Sequence, residues 1–442
     1  MLWIDGVVKC WGDNAHGQLG LGDTIRRGKA PGEMGAALPA LPVAAGAVVK
    51  AIAAAGDRTC ITLGTDEVQC FGTNASGELG LDSVVPVHAP GTRAPAGAMS
   101  RGHTCSRAVD AVRCWGDNAF GQLGVGDTAS RGDNVGEMAA LAGILPLGAG
   151  LVPPAAISSG AVADHTCMTW SEPPPGVPNP APNAPGWQTR VACWGKNDKG
   201  QLGLGDTTHR GDHPGQLLAL IDHGSSATIR PGNTTLQAVT GGAHTCLVIR
   251  NRDYQSMKCW GDNARGQLGL GDTASRGDDP GEMGDLLPTH QHFTPSDGRF
   301  GDPSSPNVSL GRAHTCALSY AWGNRLGVVQ CWGAGDAGQL GRGEAFDRGG
   351  APGDAYPIID LGTNLWVANR GSGAMYAAGG DHVCAVVQEA SDAVGTPLAG
   401  SLPTRVHCWG KNDKGQLGLG DQANRGDQPG EMGDALPFVR LR

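Results

Sequence analysis

A sevenfold internal repeat constrains the fold of this chain more than any other feature. The string Cys-Trp-Gly, followed by Asn-x-x-Gly-Gln-Leu-Gly, begins with small variations at Cys10, Cys70, Cys114, Cys193, Cys259, Cys331 and Cys408. A second string, x-His-Thr-Cys, ends at Cys60 (with Arg58 for His), Cys105, Cys167, Cys246, Cys316 and Cys384 (with Val383 for Thr). The average unit of about 63 residues is long for leucine-rich or ankyrin repeats and suits a propeller blade.

Each unit reads as four short strands separated by Gly and Asn turns. Apolar runs lie before His-Thr-Cys (236–240), after it (246–250), at Cys-Trp (257–260) and after Leu-Pro (438–441). With 73 Gly and 29 Pro in 442 residues, a helical fold is disfavoured. The sequence therefore predicts one all-β domain over 1–442, a β-propeller of seven four-stranded antiparallel blades. The repeats fall at approximately 1–48, 49–98, 99–152, 153–234, 235–307, 308–365 and 366–442.

The Gly-Gln-Leu-Gly-x-Gly-Asp string, with a His-Thr turn upstream, resembles the repeat of the regulator of chromosome condensation family. The resemblance covers essentially the whole chain and implies a seven-bladed propeller. It implies no single function, since members include a Ran nucleotide exchange factor, a plant ultraviolet-B photoreceptor and a secreted β-lactamase inhibitor. The photoreceptors carry Trp beside the His-Thr turn. Ultraviolet sensing is disfavoured here because that position holds Gly102, Asp164, Ala243, Ala313 and Asp381.

The strand count predicts one incomplete blade. The sequence contains seven Cys-Trp strands and seven Leu-Pro strands but only six copies of the two strands around His-Thr-Cys, because the first unit begins halfway through the repeat. We therefore expect two strands to be missing at one end of the chain. The alternative is a natural ring of six and a half blades, which would leave strand edges exposed.

Twelve of the 13 cysteines form pairs on neighbouring strands of one hairpin, close enough for disulfides. The predicted pairs are Cys60–Cys70, Cys105–Cys114, Cys167–Cys193, Cys246–Cys259, Cys316–Cys331 and Cys384–Cys408, which leaves Cys10 unpaired. Zinc binding and free core thiols are the alternatives, and Arg58, which replaces a His ligand, weakens the zinc interpretation. Disulfides would indicate an exported protein in an extracellular, secretory or periplasmic location.

Other repeated motifs are interpreted as turn chemistry. An acid precedes Arg by four residues at Asp23/Arg27, Asp127/Arg131, Asp206/Arg210, Asp272/Arg276, Glu344/Arg348 and Asp421/Arg425. We expect these charges to clamp a turn, and calcium is the alternative. Arg-Gly-Asp recurs at 131–133, 210–212, 276–278 and 425–427 with the repeat period, so repeat structure explains it without an adhesion receptor.

Charge and motifs exclude several functions. The net charge of −9 offers no attraction to nucleic acid or anionic membranes. The uncharged stretch 138–163 is broken by Pro and Gly, so we expect no spanning helix. No catalytic arrangement or phosphate-binding loop can be distinguished from the repeated residues. We therefore expect neither an enzyme nor a cofactor or metal site.

Function is expected on one face of the disc. The His-Thr turns and Gly-Gln-Leu-Gly loops should form a uniform face, whereas the Cys hairpins on the opposite face vary in length. The leading hypothesis is a non-enzymatic scaffold that binds a protein or glycan there. The alternative is a cytoplasmic guanine-nucleotide exchange factor for a small GTPase. The candidate partner-binding residues are Trp170, Trp187, Phe293, Tyr320, Trp322 and Trp366.

Overall fold

A computed structural model gives the fold as a seven-bladed β-propeller. The structure describes residues 2–4, 7–65, 67–81, 97–107, 112–138, 156–172, 188–216, 219–224, 235–250, 255–290, 308–320, 327–354, 356–368, 375–389 and 405–441. Within these ranges there are 21 strands, no α-helix, and three short 3-10 turns at Gly35–Ala37, Gly284–Leu286 and Gly433–Ala435.

The strands follow the repeats in chain order. Blade one holds β1 (Leu2–Ile4) and β2 (Val7–Lys9), and blade two holds β3 (Val49–Ala55), β4 (Arg58–Leu63) and β5 (Val68–Gly72). Blade three holds β6 (Gly97–Met99), β7 (His103–Arg107) and β8 (Val112–Gly116), and blade four holds β9 (Ala156–Ser158), β10 (His165–Glu172) and β11 (Gln188–Gly195). Blade five holds β12 (Thr235–Thr240), β13 (His244–Arg250) and β14 (Gln255–Gly261), and blade six holds β15 (Val308–Leu310), β16 (His314–Tyr320) and β17 (Gly327–Gly333). Blade seven uses β18 (Leu365–Val367), β19 (Tyr376–Ala378), β20 (His382–Glu389) and β21 (Arg405–Gly410).

The fourth, outermost strand of a blade is much weaker than the other three. The segment after Leu-Pro makes only an isolated bridge to the Cys-Trp strand, at the residue pairs Lys9–Ala40, Ala192–Leu220, Met257–His290 and His407–Phe438. Pro39 and Pro437 directly precede the bridged residues of blades one and seven and cannot donate a ladder hydrogen bond, whereas Leu220 of blade four follows Ala219. In blades four, five and seven the bridge adds an outer edge to the paired strands, and in blade one it lies beside the two strands β1 and β2.

Blade one contains a strand that the repeat pattern did not predict. β1 pairs with β2 in antiparallel register, with Leu2 opposite Lys9 and Ile4 opposite Val7. The expectation that this blade lacks both strands around His-Thr-Cys was too strict, since β1 supplies the second half of one of them. The signal was local: Asp5-Gly6 separates two apolar runs, which is typical of a tight hairpin.

The core lies between blades rather than inside any one of them. The repeat Trp and Leu residues are all buried, and Trp260 of blade five packs in one cluster with Leu202 and Val191 of blade four. The indole of each Trp donates a hydrogen bond to the preceding blade, as from Trp260 Nε1 to the Gln201 carbonyl at 3.0 Å. The same bond joins Trp115 to Glu78, Trp194 to Gln122, Trp332 to Gln267 and Trp409 to Gln339.

Blade one and blade seven meet through this same contact. Trp11 Nε1 donates to the Gln416 carbonyl at 3.1 Å, and Gly420 N donates to the Gly28 carbonyl at 3.1 Å. Lys9 Nζ also donates to the Leu441 carbonyl at 3.1 Å. The seam between the two blades is therefore closed by the repeat's own chemistry.

Blades six and seven are additionally joined by β18. This strand pairs along the end of β20, with Trp366 opposite Gln388, and Val367 also lies opposite Gly327 of β17. The result is a seven-stranded sheet that runs through both blades.

Candidate functional site

The strand register places the two ends of each blade on opposite faces. In blade four His165 lies opposite Gly195, at the end where the Gly-Gln-Leu-Gly loop begins, whereas Glu172 lies opposite Gln188 at the hairpin end. We call the first end the turn face and the second the hairpin face. This arrangement agrees with the expectation from strand alternation.

On the turn face, Asn holds the loop through its side chain. Asn197 Nδ2 donates to the Asp206 carbonyl at 2.8 Å, and Asn197 Oδ1 accepts from Leu202 N at 2.9 Å. Asn197 is fully buried, so it acts as internal support for the loop. The acid-to-Arg pair closes the following turn, with Arg210 Nη2 lying 2.5 Å from Asp206 Oδ2. The equivalent pairs span 2.6–2.8 Å, as the spacing predicts.

The Arg-Gly-Asp tripeptide is part of the junction between blades. In blade five, Gly277 N donates to Glu282 Oε2 at 2.9 Å, and the Gly277 carbonyl accepts from Gly205 N of blade four at 3.0 Å. Arg276 is held by Asp272 at 2.7 Å. The tripeptide is therefore fixed from both sides, as expected from its repeat period.

A chain of buried hydrogen bonds links the His-Thr turns of successive blades. His103 Nε2 lies 2.6 Å from Thr166 Oγ1, His165 Nε2 lies 2.8 Å from Thr245 Oγ1, and His244 Nε2 lies 3.0 Å from Thr315 Oγ1. Because Thr245 and Thr315 hydroxyls donate to Gln carbonyls, these Thr oxygens accept from the imidazole N–H. Burial lowers the pKa of His103, His165 and His244 to about 3, so all three are neutral at physiological pH.

The chain of hydrogen bonds stops at blade seven, where Val383 replaces Thr. Both ring nitrogens of His314 are buried and have no hydrogen-bond partner in the described structure. We expect Val383→Thr to stabilise the fold by about 1 kcal/mol, because a hydroxyl there can accept from His314 and donate to the Gln339 carbonyl. Thermal unfolding of the two proteins measures the difference. Val387→Thr, at a fully buried position away from the turn, is the control and should destabilise.

Blade two replaces the His with a buried arginine. Arg58 is 1% exposed and donates to the carbonyls of Glu78 at 2.6 Å and of Ser100 at 2.7 Å, so it clasps blade three. The Gln of the loop is Glu78 in this same blade, and its carboxylate offsets part of the cost of burying the guanidinium. The two departures from the repeat therefore compensate each other.

Six cysteine pairs join the two central strands of their blades, two residues from the turn-face end. The structure brings each pair to S–S distances between 1.97 and 2.10 Å with Cα–Cα distances of 4.1 Å, in the pairing that the sequence predicts, and leaves Cys10 unpaired and buried. The two cysteines of each pair lie in directly opposed register, as Cys167 does with Cys193.

Loop length should set the stability that each disulfide adds. The Cys167–Cys193 pair closes 26 residues and Cys105–Cys114 closes nine. We expect replacing the first pair with Ala to cost about 3.5 kcal/mol and replacing the second to cost about 1 kcal/mol less, because the longer loop restricts the unfolded chain more. Denaturant unfolding of the two double variants measures this order. The opposite order would show that local strain outweighs chain entropy.

Of the six candidate partner-binding aromatics, the structure describes the side chains of Trp170 and Trp366. Trp170 is 2% exposed and packs against Met168 and Trp194, so its assignment as an exposed anchor is wrong. β10 continues to Glu172, and Trp170 lies two residues after Met168 on the same buried side. Trp366 is half-buried in β18, and Tyr320 ends β16. Trp187, Phe293 and Trp322 lie outside the described residues.

The turn face is less uniform than the sequence analysis expected. The residue after Trp-Gly is Asp in blades one, three and five but Lys196 in blade four and Lys411 in blade seven. Lys196 lies 4.0 Å from Asp164 and its ammonium sits 5.0 Å from the centre of the Phe120 ring. Burial raises the pKa of Asp164, which faces this mixed cluster. A position-by-position comparison of the repeats would have shown that both Asp and Lys occur after Trp-Gly.

Across the described ranges, no group of three or more His, Cys, Asp or Glu side chains is arranged to hold a metal ion. The described segments also contain no helix long and apolar enough to cross a membrane.

Comparison with known proteins agrees with this architecture. The model of the "Regulator of chromosome condensation (RCC1) repeat" matches residues 190–248 and 405–437, which belong to blades four, five and seven. These two segments are regulator of chromosome condensation repeats. Over its full length it superposes on Prp20p from Saccharomyces cerevisiae with a TM-score of 0.58 and 16% identity, covering 87% of that chain. Human WBSCR16 gives a TM-score of 0.55 with 18% identity, over 95% of this chain and 92% of that one. Both likenesses show the fold.

Curated relatives share only part of their length with this repeat protein. The ultraviolet-B receptor UVR8 of Arabidopsis thaliana is 28% identical over 262 residues, 53% of this chain and 52% of the receptor. The human probable E3 ubiquitin-protein ligase HERC6 is 30% identical over 192 residues, 43% of this chain and 14% of the ligase. The chain thus spans about half of the first relative and a small part of the second.

Proposed function

We propose that this propeller is a non-enzymatic scaffold that binds a protein or glycan partner through the loops of its hairpin face. The observation that carries the proposal is the contrast between a constant cross-link within each hairpin and variable hairpin lengths. Every Cys pair has the same 4.1 Å Cα separation, whereas the sequence separation within a pair varies from nine to 26. Loops that vary on a rigid frame are the usual place for a recognition surface.

The two longest hairpins share a further feature at their bases. In blade four, Arg190 Nε lies 3.0 Å from Glu172 Oε2, and in blade seven Arg405 Nη2 lies 3.2 Å from Glu389 Oε1. These cross-strand pairs are partly exposed and add little stability. They do orient the strands from which segments 173–187 and 390–404 emerge, and the two blades stand almost opposite each other in the ring.

Loop exchange tests the proposal. Segments 173–187 and 390–404 are each replaced by the short sequence 108–111, and the partner is sought by chemical cross-linking in the protein's native surroundings. We expect the shortened variants to lose at least tenfold in captured partner, since hot-spot residues dominate affinity. The milder variant Trp187→Ala should lose part of it. Serine substitutions at Ile25 and Phe346, which are 59% and 67% exposed at equivalent turn positions, are the control.

Unchanged capture by both shortened variants, with loss in the Ile25 and Phe346 variants, would place binding on the turn face and overturn the proposal.

We further propose that the protein works in an oxidising compartment, because six stable disulfides form and persist there. Alkylation of the protein as isolated from its source should label one cysteine per chain. Labelling of all 13 would instead favour the alternative, an exchange factor for a small GTPase in a reducing compartment. That alternative rests on the likeness to Prp20p, which binds Gsp1p and histones. Release of fluorescent GDP from a purified small GTPase measures it directly.

A further inference from the structure

A half-buried methionine lies where each odd-numbered blade meets the blade before it, with blade seven preceding blade one around the ring. It follows Gly-Glu in the repeat, and its four copies are Met34, Met138, Met283 and Met432. Each packs at the margin of a core cluster that two adjacent blades share. Three methionines inside strands are buried instead, at most 8% exposed: Met99, Met168 and Met257.

The thioether of each junction methionine lies against glycines of both blades. A Cβ added at Gly277, in the Arg-Gly-Asp turn of blade five, would lie 3.2 Å from Met283 Sδ. A Cβ added at Gly203 of blade four would lie 2.9 Å from Met283 Cε and 2.8 Å from Trp260 Nε1. Sulfur and methyl group thus fill the space that these glycines leave between two backbones. The corresponding Sδ distances are 3.3 Å for Met34 at Gly28, 3.2 Å for Met138 at Gly132 and 3.2 Å for Met432 at Gly426.

Two other junctions are built without methionine. Blade four has Leu217 in the repeat position of Met283. In blade six that position is Ala355, and the neighbouring Tyr356 donates from its hydroxyl to the Gly269 carbonyl of blade five at 3.2 Å. The repeat therefore accepts other side chains here, and a thioether is not required for the fold.

We propose that Met34, Met138, Met283 and Met432 are modification sites for a peroxide, and that their sulfoxides open the junctions they fill. The sulfur attacks one peroxide oxygen, the O–O bond breaks and an S–O bond forms. The released hydroxide takes the proton of the transferred oxygen and leaves as water, so sulfur loses the two electrons that the peroxide gains. The sulfoxide oxygen is a strong hydrogen-bond acceptor that needs water, and the two blades must separate to admit it.

Backbone hydrogen bonds identify the junctions that should open. Gly205 N donates to the Gly277 carbonyl at 3.0 Å, beside Met283. The same bond runs from Gly343 to Gly426 at 2.9 Å and from Gly420 to Gly28 at 3.1 Å, and we call these three the methionine junctions. It also runs from Gly126 to Gly211 at 2.9 Å and from Gly271 to Gly349 at 3.0 Å, in the two junctions without methionine, which we call the control junctions. The hairpin loops take no part, so the proposal stands apart from the proposed function.

Amide hydrogen exchange after hydrogen peroxide treatment of the intact protein tests the proposal. Peptide mapping should find sulfoxide at the four methionines about tenfold or more sooner than at Met168 and Met257, because oxidation follows exposure. The donor amides of the methionine junctions should then exchange about tenfold or more faster, while those of the control junctions stay unchanged. Equal acceleration at both kinds of junction, or none in fully oxidised protein, would overturn the proposal.

Matched variants separate these methionines from other oxidisable groups. Leu at all four positions, as in blade four, should preserve the fold and abolish the acceleration by peroxide. Met375→Leu, at a half-buried methionine outside the repeat position, should leave the acceleration unchanged. Met283→Gln places a polar group at one junction without oxidant and should speed exchange at the Gly205 amide alone. Equal acceleration in the parent and the four-Leu protein would assign the effect to Cys10 or tryptophan and overturn the proposal.

Discussion

Replacing Gly200 with alanine is expected to cost about 4 kcal/mol of unfolding free energy, a large effect for one methyl group. Gly200 has φ of +72°, and an added Cβ would lie 2.6 Å from the Gly277 carbonyl carbon and closer still to Asp278 N. These atoms belong to the Arg-Gly-Asp turn of the next blade, which cannot move without opening the junction. Denaturant unfolding of Gly200→Ala against the parent protein measures the loss.

Gly281→Ala is the matched control. Gly281 also has a positive φ, +85°, but an added Cβ there meets nothing within 4 Å. We expect a cost of only about 1–2 kcal/mol, which is the backbone penalty alone. Equal costs at the two positions would mean that the junction yields to the methyl group and that the blades are less tightly coupled than their contacts indicate.

Acidification should destabilise the ring steeply below about pH 6.5, the ordinary pKa of histidine. Burial first, and nearby positive charge second, lower the pKa of His103 to about 3, and burial does the same for His165 and His244. The unfolded chain therefore binds protons that the folded chain excludes. Stability is fully present above the unfolded pKa and is lost as pH falls toward the folded one. Burial also lowers the pKa of His314, His382 and His407 to about 4, and six such groups give a slope that approaches about 8 kcal/mol per pH unit once the unfolded histidines are protonated.

Denaturant unfolding at several values between about pH 7 and pH 5 measures that slope. His244→Gln removes one of these six titrating groups and should reduce the slope by about a sixth, whatever it does to stability at neutral pH. A slope that is unchanged in this variant would mean that carboxylates dominate. Asp164 acts in the opposite direction, since burial raises its pKa and its protonation favours the folded form.

Sequence reasoning predicted what repeats once per blade. The Cys pairs, the acid-to-Arg clamps and the buried Leu of each loop follow from residue types that recur at fixed spacing, so one correct interpretation applies to every copy. The chain of hydrogen bonds from His to Thr was harder to predict from the sequence, because each bond joins residues of two different blades that are far apart in the chain. Only the structure shows that His244 reaches Thr315, 71 residues away.

Features that occur once were predicted poorly. Trp170 was taken for an exposed anchor because it lies near a Pro-rich insertion, although its strand continues past it and blade three covers it. β18 carries no repeat signature, and its role in joining two blades depends on where β17 and β20 end. The candidate surface of the hairpin face was inferred from loop lengths, and half of its named aromatics lie outside the described residues.

The junctions between blades also give the ring a polarity. Each blade offers a Gln carbonyl and a glycine loop on one side, and a Trp, a Thr and an Arg-clamped turn on the other. A departure from the repeat therefore changes the contacts with one adjacent blade. Val383 leaves His314 of the preceding blade without a hydrogen-bond partner, whereas Arg58 donates to a carbonyl of the following blade. A blade therefore cannot be exchanged for another as an independent unit. Exchange succeeds only when the residues on both sides of the new blade complement those of the two adjacent blades.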